Sequence, residues 1–247
     1  MPPRRVCTSD GRPGAGAYAR RVSARPVSEV PAGLPDGAAS DLVEETLTLG
    51  GHPVRLLRPR SGDALLDEVL AEDDPADDRL PFWAELWPSG SALAAAVAAL
   101  DLTGRRVLEL GCGLGLVSVA AATAGAEVLA ADQSAEAIAF TTVNAGRNGV
   151  AVTTVRCAFE RPEPLLAGAP WDLVLAADVL YEPKTVPVLV DLLPRLGRAA
   201  WLADPGRPRE PDFLRAVDAA GWRRQSRVVT PEDAMPRVSI HRLSRPS

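Results

Sequence analysis

From Gly104 onward the chain alternates between short apolar runs and longer stretches in which apolar positions recur with a helical period. The runs at 106–110, 127–132, 152–157, 171–178 and 199–204 are rich in Val, Leu and Ala, which predicts strands covered on both faces of a parallel sheet. The stretches near 115–124, 134–147, 184–196 and 210–220 predict the helices that cover them. The last two runs, 222–230 and 237–243, have no helix between them, so they pair antiparallel at the sheet edge. The pattern describes an α/β, Rossmann-like, doubly wound sheet of seven strands with the last one antiparallel.

Ahead of this region, "LVEETLTLGGHPVRLLRP" alternates around Gly50-Gly51 and predicts a β-hairpin. Residues 63–78, "DALLDEVLAEDDPADD", read as a short amphipathic helix running into an acidic, solvated loop. "PFWAELWPSGSALAAAVAAL" follows, with aromatic residues leading to Pro88 and Ser89 at the start of an alanine-rich helix. Residues 1–40 carry Pro, Gly, Ala and Arg without periodic apolar positions, so burial cannot offset the entropy of ordering them. They lack the apolar segment of a secretory signal and the amphipathicity of a transit peptide. The expected organisation is a disordered N-terminal tail, 1–40, and one domain, 41–247, with the hairpin and helix as its N-terminal extension.

Composition narrows the function. The 247 residues suit one sizeable domain, and a net charge of −5 disfavours a nucleic-acid partner. No run approaches the roughly 18 apolar residues of a membrane span, so no membrane partner is expected. Cys7, Cys112 and Cys157 show neither metal nor pair spacing, and their odd number fits a reducing cytoplasm. His52 and His241 are the only histidines, too few for a zinc site or a Ser-His-Asp triad, and both read as surface or hairpin residues. Lys184 is the only lysine; the other basic residues are arginines, as a GC-rich genome would give. A monomer is expected.

The chemistry begins at "VLELGCGLGL", residues 107–116. The first strand of the alternating region flanks the switch point of an open parallel sheet, where ligands bind outside the carboxyl ends of strands. Gly111, Gly113 and Gly115 permit a tight turn and a close approach to backbone. Asp132 ends the second strand, where a carboxylate accepts the hydroxyls of a ribose, and Glu109 adds a second acid. The dinucleotide fingerprint places its third glycine three positions after the second, which here is Leu116. An acid beside the loop is also a poor neighbour for a pyrophosphate. It suits S-adenosylmethionine (SAM), with its sulfonium and α-ammonium, over NAD.

The Glu-x-Gly-x-Gly-x-Gly run at 109–115, Asp132 and the reversed last strand resemble the class I, seven-β-strand SAM-dependent methyltransferases. "FWAELWPSGSAL" (82–93), "LVLAADVLYE" (173–182) and "LADPGRP" (202–208) resemble the methyltransferase-16-like group, whose hallmark Asp-x-x-Tyr is Asp178 and Tyr181 here. The Phe-Trp-Ala…Trp-Pro segment and the Asp-Pro-Gly-Arg-Pro loop are most similar to the branch that methylates the β subunit of electron transfer flavoprotein. The resemblance covers about residues 42–245.

Carried over by position, the resemblance places Trp87 at the methionine end of SAM and Gly111 and Gly113 at its amino-acid moiety, with Glu109, Cys112 and Gly115 in the same loop. It places Asp132 at the ribose with Gln133 beside it, Phe159 at the adenine, where the group often carries Trp, and Ala177 at the methyl donor. Asp178 and Tyr181 are the implied catalytic pair: Asp178 orients an incoming amine and Tyr181 offers a hydrogen bond or a cation–π face. The donor is already activated, so no metal is implied. Trp83 reads equally as core or site, and Arg207 as a shaper of the substrate mouth or a solvated turn residue. The implied activity is protein-lysine N-methylation. Its alternatives are a small-molecule N- or O-methyltransferase of secondary metabolism and a SAM-binding interaction module without chemistry. The acidic stretch 63–78 favours a basic protein surface as partner.

Overall fold

The computed structural model describes residues 20–27, 30–34, 41–60, 81–229 and 237–246. Among them is a seven-stranded sheet built from β4 (Arg106–Leu110), β5 (Glu127–Asp132), β6 (Val152–Arg156), β7 (Leu173–Ala177), β8 (Ala199–Asp204), β9 (Arg223–Val229) and β10 (Val238–Ser244). The strand order is β6-β5-β4-β7-β8-β10-β9. β10 runs antiparallel to both β8 and β9, while β4 through β8 pair in parallel. The last strand is therefore reversed, as the pattern predicts, and it is inserted inside β9.

The period-two alternation of β4 sends Val107 to one face and Leu108 and Leu110 to the other. The first face is covered by α1 (Pro88–Ala98), α2 (Leu116–Thr123) and α3 (Ala135–Arg147). The second is covered by α5 (Thr185–Leu196) and α6 (Glu210–Ala219), with Leu189, Leu193 and Phe213 fully buried or nearly so. A four-residue helix, α4 (Glu163–Leu166), has no counterpart in the sequence reading. Helix α3 starts at Ser134, whose hydroxyl accepts from the Ala137 N–H at 3.1 Å. Pro88 occupies the first turn of α1, where a missing N–H costs nothing.

A second sheet of three strands, ordered β1-β2-β3, joins β1 (Arg20–Val27), β2 (Leu42–Leu49) and β3 (His52–Pro59). Gly50 (φ +55°) and Gly51 (φ +87°) close the hairpin with the two positive φ angles that a tight, twist-matched turn demands. The extension is fastened to the main domain by two asparagines one helical turn apart. Asn144 accepts from the Leu57 N–H at 2.7 Å and donates to the Leu57 and Leu114 carbonyls at 3.0 and 2.9 Å. Asn148 repeats the exchange with Arg55, accepting at 2.9 Å and donating at 2.7 Å.

Two expectations change, and a third lies beyond the described residues. Residues 20–27 are a strand, not part of a disordered tail; Arg21 and Arg25 are exposed and reach over the sheet to Glu45 (2.8 Å) and Glu44 (2.5 Å). Both glutamates are buried, so the strand is held by charge and ladder hydrogen bonds, with Val27 packing against the core at its end. His52 is exposed in the hairpin, but His241 is buried between β9 and α6, 2.8 Å from Ser226 Oγ and 2.7 Å from Glu210 Oε1. The expected helix at 63–78 lies outside the described residues.

Candidate active site

The strand order turns back at β4, so β4→β5→β6 winds one way and β7→β8 the other. The loops leaving β4, β5 and β7 open into one cavity of about 340 Å³, within the range of small-molecule sites. Every residue nominated from sequence except Gly115 lines it.

The three glycines do different things. Gly111 (φ +69°) would place a Cβ 3.1 Å from Val179 Cγ1 and 3.7 Å from Phe159 Cζ, so its bare backbone keeps the cavity open. A Cβ on Gly113 (φ +50°) would meet the Trp83 carbonyl oxygen at 3.2 Å. Gly115 (φ +79°) stands off the cavity: a Cβ there would lie 2.8 Å from both Thr141 Cγ2 and Oγ1. Its missing side chain allows the close packing of α2 against α3. Thr141 returns the constraint by donating to the Gly113 carbonyl at 3.0 Å. Cys112 is buried beneath the loop, and burial raises its thiol pKa well above the ordinary value, so it is an inert wall residue.

Asp132 caps the loop from below. Its Oδ2 accepts from the Gly113 N–H at 3.0 Å and its Oδ1 from the Ser134 N–H at 2.9 Å. Burial raises its pKa, partly countered by these backbone donors. With backbone donors from Gly113, Ser134 and Gln133, its roughly four acceptor sites are not all filled. Glu109 is buried beside the cavity, with the Ser118 hydroxyl donating to its Oε2. Burial pushes its pKa up to about 8, with a smaller push from the neighbouring Asp132 charge. Burial thus favours the protonated form of Glu109.

Asp178 follows β7 and is the sole non-glycine residue with positive φ (+61°) among the described residues. That backbone costs of order 1 kcal/mol, and strain of this kind concentrates at functional sites. The Asp178 N–H donates to Ala203 O at 2.9 Å, tying the strained turn to β8. The carboxylate is buried, with Oδ2 accepting from the Ser89 hydroxyl at 3.1 Å and Oδ1 from the Arg207 guanidinium. Arg207 lies beyond β8, the neighbour of β7 in the sheet. Its backbone is fixed by Asp204, whose Oδ1 accepts from the Gly206 and Arg207 N–H groups at 2.8 and 2.6 Å. The Arg207 guanidinium lies 5.4 Å from the Trp87 ring centre and 6.0 Å from that of Tyr181. Trp87 is held by donation of its indole N–H to the Phe82 carbonyl at 2.8 Å. Ser89 and Arg207 are the site residues that sequence reading leaves out or open. The signal available for Arg207 was topological: it follows the strand adjacent to the one that ends in Asp178.

At the rim, Phe82 and Tyr181 are exposed with ring centres 5.5 Å apart. Tyr181 keeps 41% of its surface exposed, and partial desolvation of its hydroxyl, with the nearby Glu182 charge, pushes its pKa up to about 12. Trp83 packs on Phe140, ring centres 5.1 Å apart, and also borders the cavity. Among the described residues no His/Cys/Asp/Glu group is placed to hold a metal, and no helix is long and apolar enough to cross a membrane.

Residues 83–201 match the family model described as lysine methyltransferase. Protein N-lysine methyltransferase METTL21A of Danio rerio is 36% identical over 102 residues, 39% of this chain and 46% of that protein. The electron transfer flavoprotein beta subunit lysine methyltransferase of Xenopus laevis is 33% identical over 138 residues, 51% of this chain and 53% of that protein. The chain thus spans about half the length of these relatives. Magnesium protoporphyrin IX methyltransferase from Synechocystis, solved with bound SAM, superposes with a TM-score of 0.55 at 19% identity, covering 76% of this chain and 92% of its own. The fold is that of the class I, seven-stranded methyltransferases.

Proposed function

We propose that the protein is a SAM-dependent methyltransferase whose acceptor is a lysine side chain on another protein. The carrying observation is a single cavity that joins a glycine-walled cleft and the buried acids Glu109 and Asp132 to the Asp178–Trp87–Tyr181 cluster. The residues present fit the cofactor: Gly111 leaves the cleft open, Asp132 keeps acceptor sites for a diol, and Glu109 offers a carboxyl to an ammonium. When bound, SAM supplies a methyl group already activated on a sulfonium.

The protein's own residues then have three tasks. Trp87, Phe82 and Tyr181 wall the mouth and exclude water from an alkyl chain. A lysine amine, with an ordinary pKa near 10.4, must lose its extra proton before it can attack the methyl group, and burial beside the sulfonium charge favours that loss once the amine is in the site. Asp178, fixed by its strained backbone and by Ser89, orients the amine. Tyr181 stays protonated at neutral pH, so it serves as hydrogen-bond donor or ring face and not as a base. Holding reactants in line is the main source of acceleration, worth about 7–11 kcal/mol in well-oriented systems.

Glu85, Glu160 and Glu182 line the mouth beside Lys184 and Arg207, with Lys184 paired to Glu182 at 2.9 Å, and the excess of acids suits a basic protein surface. The lysine methyltransferase family match supports the same acceptor. The test is to incubate the protein with tritiated SAM and a lysate of its own host. Label recovered as methyl-lysine in protein is expected; label confined to small molecules would overturn the acceptor assignment.

A further inference from the structure

The pairing of Arg207 with Asp178 has the composition of a filled cation site. Asp178 is 3% exposed in its side chain, so its carboxylate requires a buried counter-charge, and Arg207 supplies it. The guanidinium also sits within cation–π reach of Trp87 (5.4 Å) and Tyr181 (6.0 Å). One carboxylate and two aromatic rings are the groups that would also receive an alkylammonium. Arg207 itself is about a quarter exposed (26%), and Gly206, at φ +88°, has open space beside it. Asp204 clamps the Arg207 backbone, leaving the side chain as the part that can swing outward.

We infer that Arg207 is the resident occupant of the acceptor's cation cage, and that an acceptor ammonium enters by exchange with the Arg207 guanidinium at Asp178. The inference rests on the acceptor being an amine, as proposed above. It makes Arg207 a specificity-determining residue. A cation must compete for the cage, so neutral nucleophiles such as alcohols gain nothing from displacing Arg207. The exchange keeps Asp178 paired throughout, since one cation replaces another. Ser89 holds the second carboxylate oxygen at 3.1 Å, so the carboxylate itself need not turn during the exchange.

The test uses n-butylamine hydrochloride, a lysine side-chain mimic that is fully charged at pH 7, titrated without methyl donor and followed by calorimetry or by tryptophan indole NMR signals. Arg207→Ala is expected to bind it at least tenfold more tightly than wild type, and ethylguanidine is expected to compete for the emptied cage. Arg207→Ala/Asp178→Asn is expected to lose the gain. Should Arg207→Ala fail to fold, Arg207→Gln is read in the same way. Amine binding no tighter in the variant than in wild type would overturn the inference. So would a tenfold loss of S-adenosylhomocysteine affinity in Arg207→Ala, which would place Arg207 on the cofactor instead. Neither readout requires turnover: tighter amine binding in a protein that transfers no methyl groups would keep the cage and sink the methyltransferase reading.

Discussion

Ser89, in the first turn of α1, donates its hydroxyl to Asp178 Oδ2 at 3.1 Å, joining that helix to the end of β7 across 89 residues of chain. The bond orients a carboxylate that sits on a left-handed backbone and that also holds Arg207. Asn tolerates that backbone almost as well as Asp, so Asp178→Asn removes charge with little strain. Methyl transfer is expected to fall by roughly two orders of magnitude, about 2.7 kcal/mol of transition-state stabilisation, with S-adenosylhomocysteine affinity nearly unchanged. Steady-state kinetics beside binding calorimetry checks this. Turnover near wild type would remove Asp178 from the mechanism.

Glu109 makes a pH-dependent prediction. Its folded pKa near 8 stands above the ordinary 4.5, so the folded chain holds a proton that the unfolded chain releases across that window. This stabilising contribution is fully present below pH 4.5 and is lost as pH rises through 8. Melting temperature should therefore fall from pH 5 to 8 more steeply in wild type than in Glu109→Gln. A ligand ammonium at Glu109 should also expel up to about one proton at pH 7. Calorimetry of S-adenosylhomocysteine in buffers of different ionisation enthalpy reads that release. Identical apparent enthalpies in every buffer would place the ammonium elsewhere.

Gly115 and Gly111 separate packing from ligand binding. Gly115→Ala drives a Cβ to 2.8 Å from Thr141 on a left-handed backbone, and should cost about 2–4 kcal/mol of stability. Gly111→Ala carries the same left-handed strain (φ +69°) but meets Val179 at 3.1 Å across the cleft, so it should destabilise less than Gly115→Ala and weaken S-adenosylhomocysteine binding more. Urea denaturation and calorimetry on both variants give the comparison. Equal effects of the two substitutions on stability and binding would merge the two roles.

Strand β1 gives the fourth prediction. Deleting residues 1–27 strips the ladder partner from β2 and removes Arg21 and Arg25 from the buried Glu45 and Glu44. The melting temperature should drop by several degrees, at about 2–4 °C per kcal/mol for a chain of this size. A shortened protein that melts with the full chain would mean that the strand contributes nothing.

The parallel strands were legible because each is a short apolar run, and the hairpin because Gly50-Gly51 allows one tight turn. β1 was not, because its defining positions are arginines whose value depends on Glu44 and Glu45, some twenty residues away. The burial of His241 is hidden for a related reason: it comes from α6 lying over the edge pair, which no local pattern encodes. The glycine loop announced a cleft, yet it did not reveal that Gly115 packs a helix. Arg207 and Asp178 are 29 residues apart in two loops, and only the adjacency of β7 and β8 brings them together.

The central claim is that the cavity over β4, β5 and β7 receives SAM. Titration calorimetry of the purified protein with S-adenosylhomocysteine and, separately, with NADH tests it most directly. One-to-one binding of S-adenosylhomocysteine and no heat from NADH are predicted. Asp132→Ala should bind at least about tenfold more weakly, the scale of one lost hydrogen bond to a charged group. Saturable binding of NADH, with none of S-adenosylhomocysteine, would contradict the account.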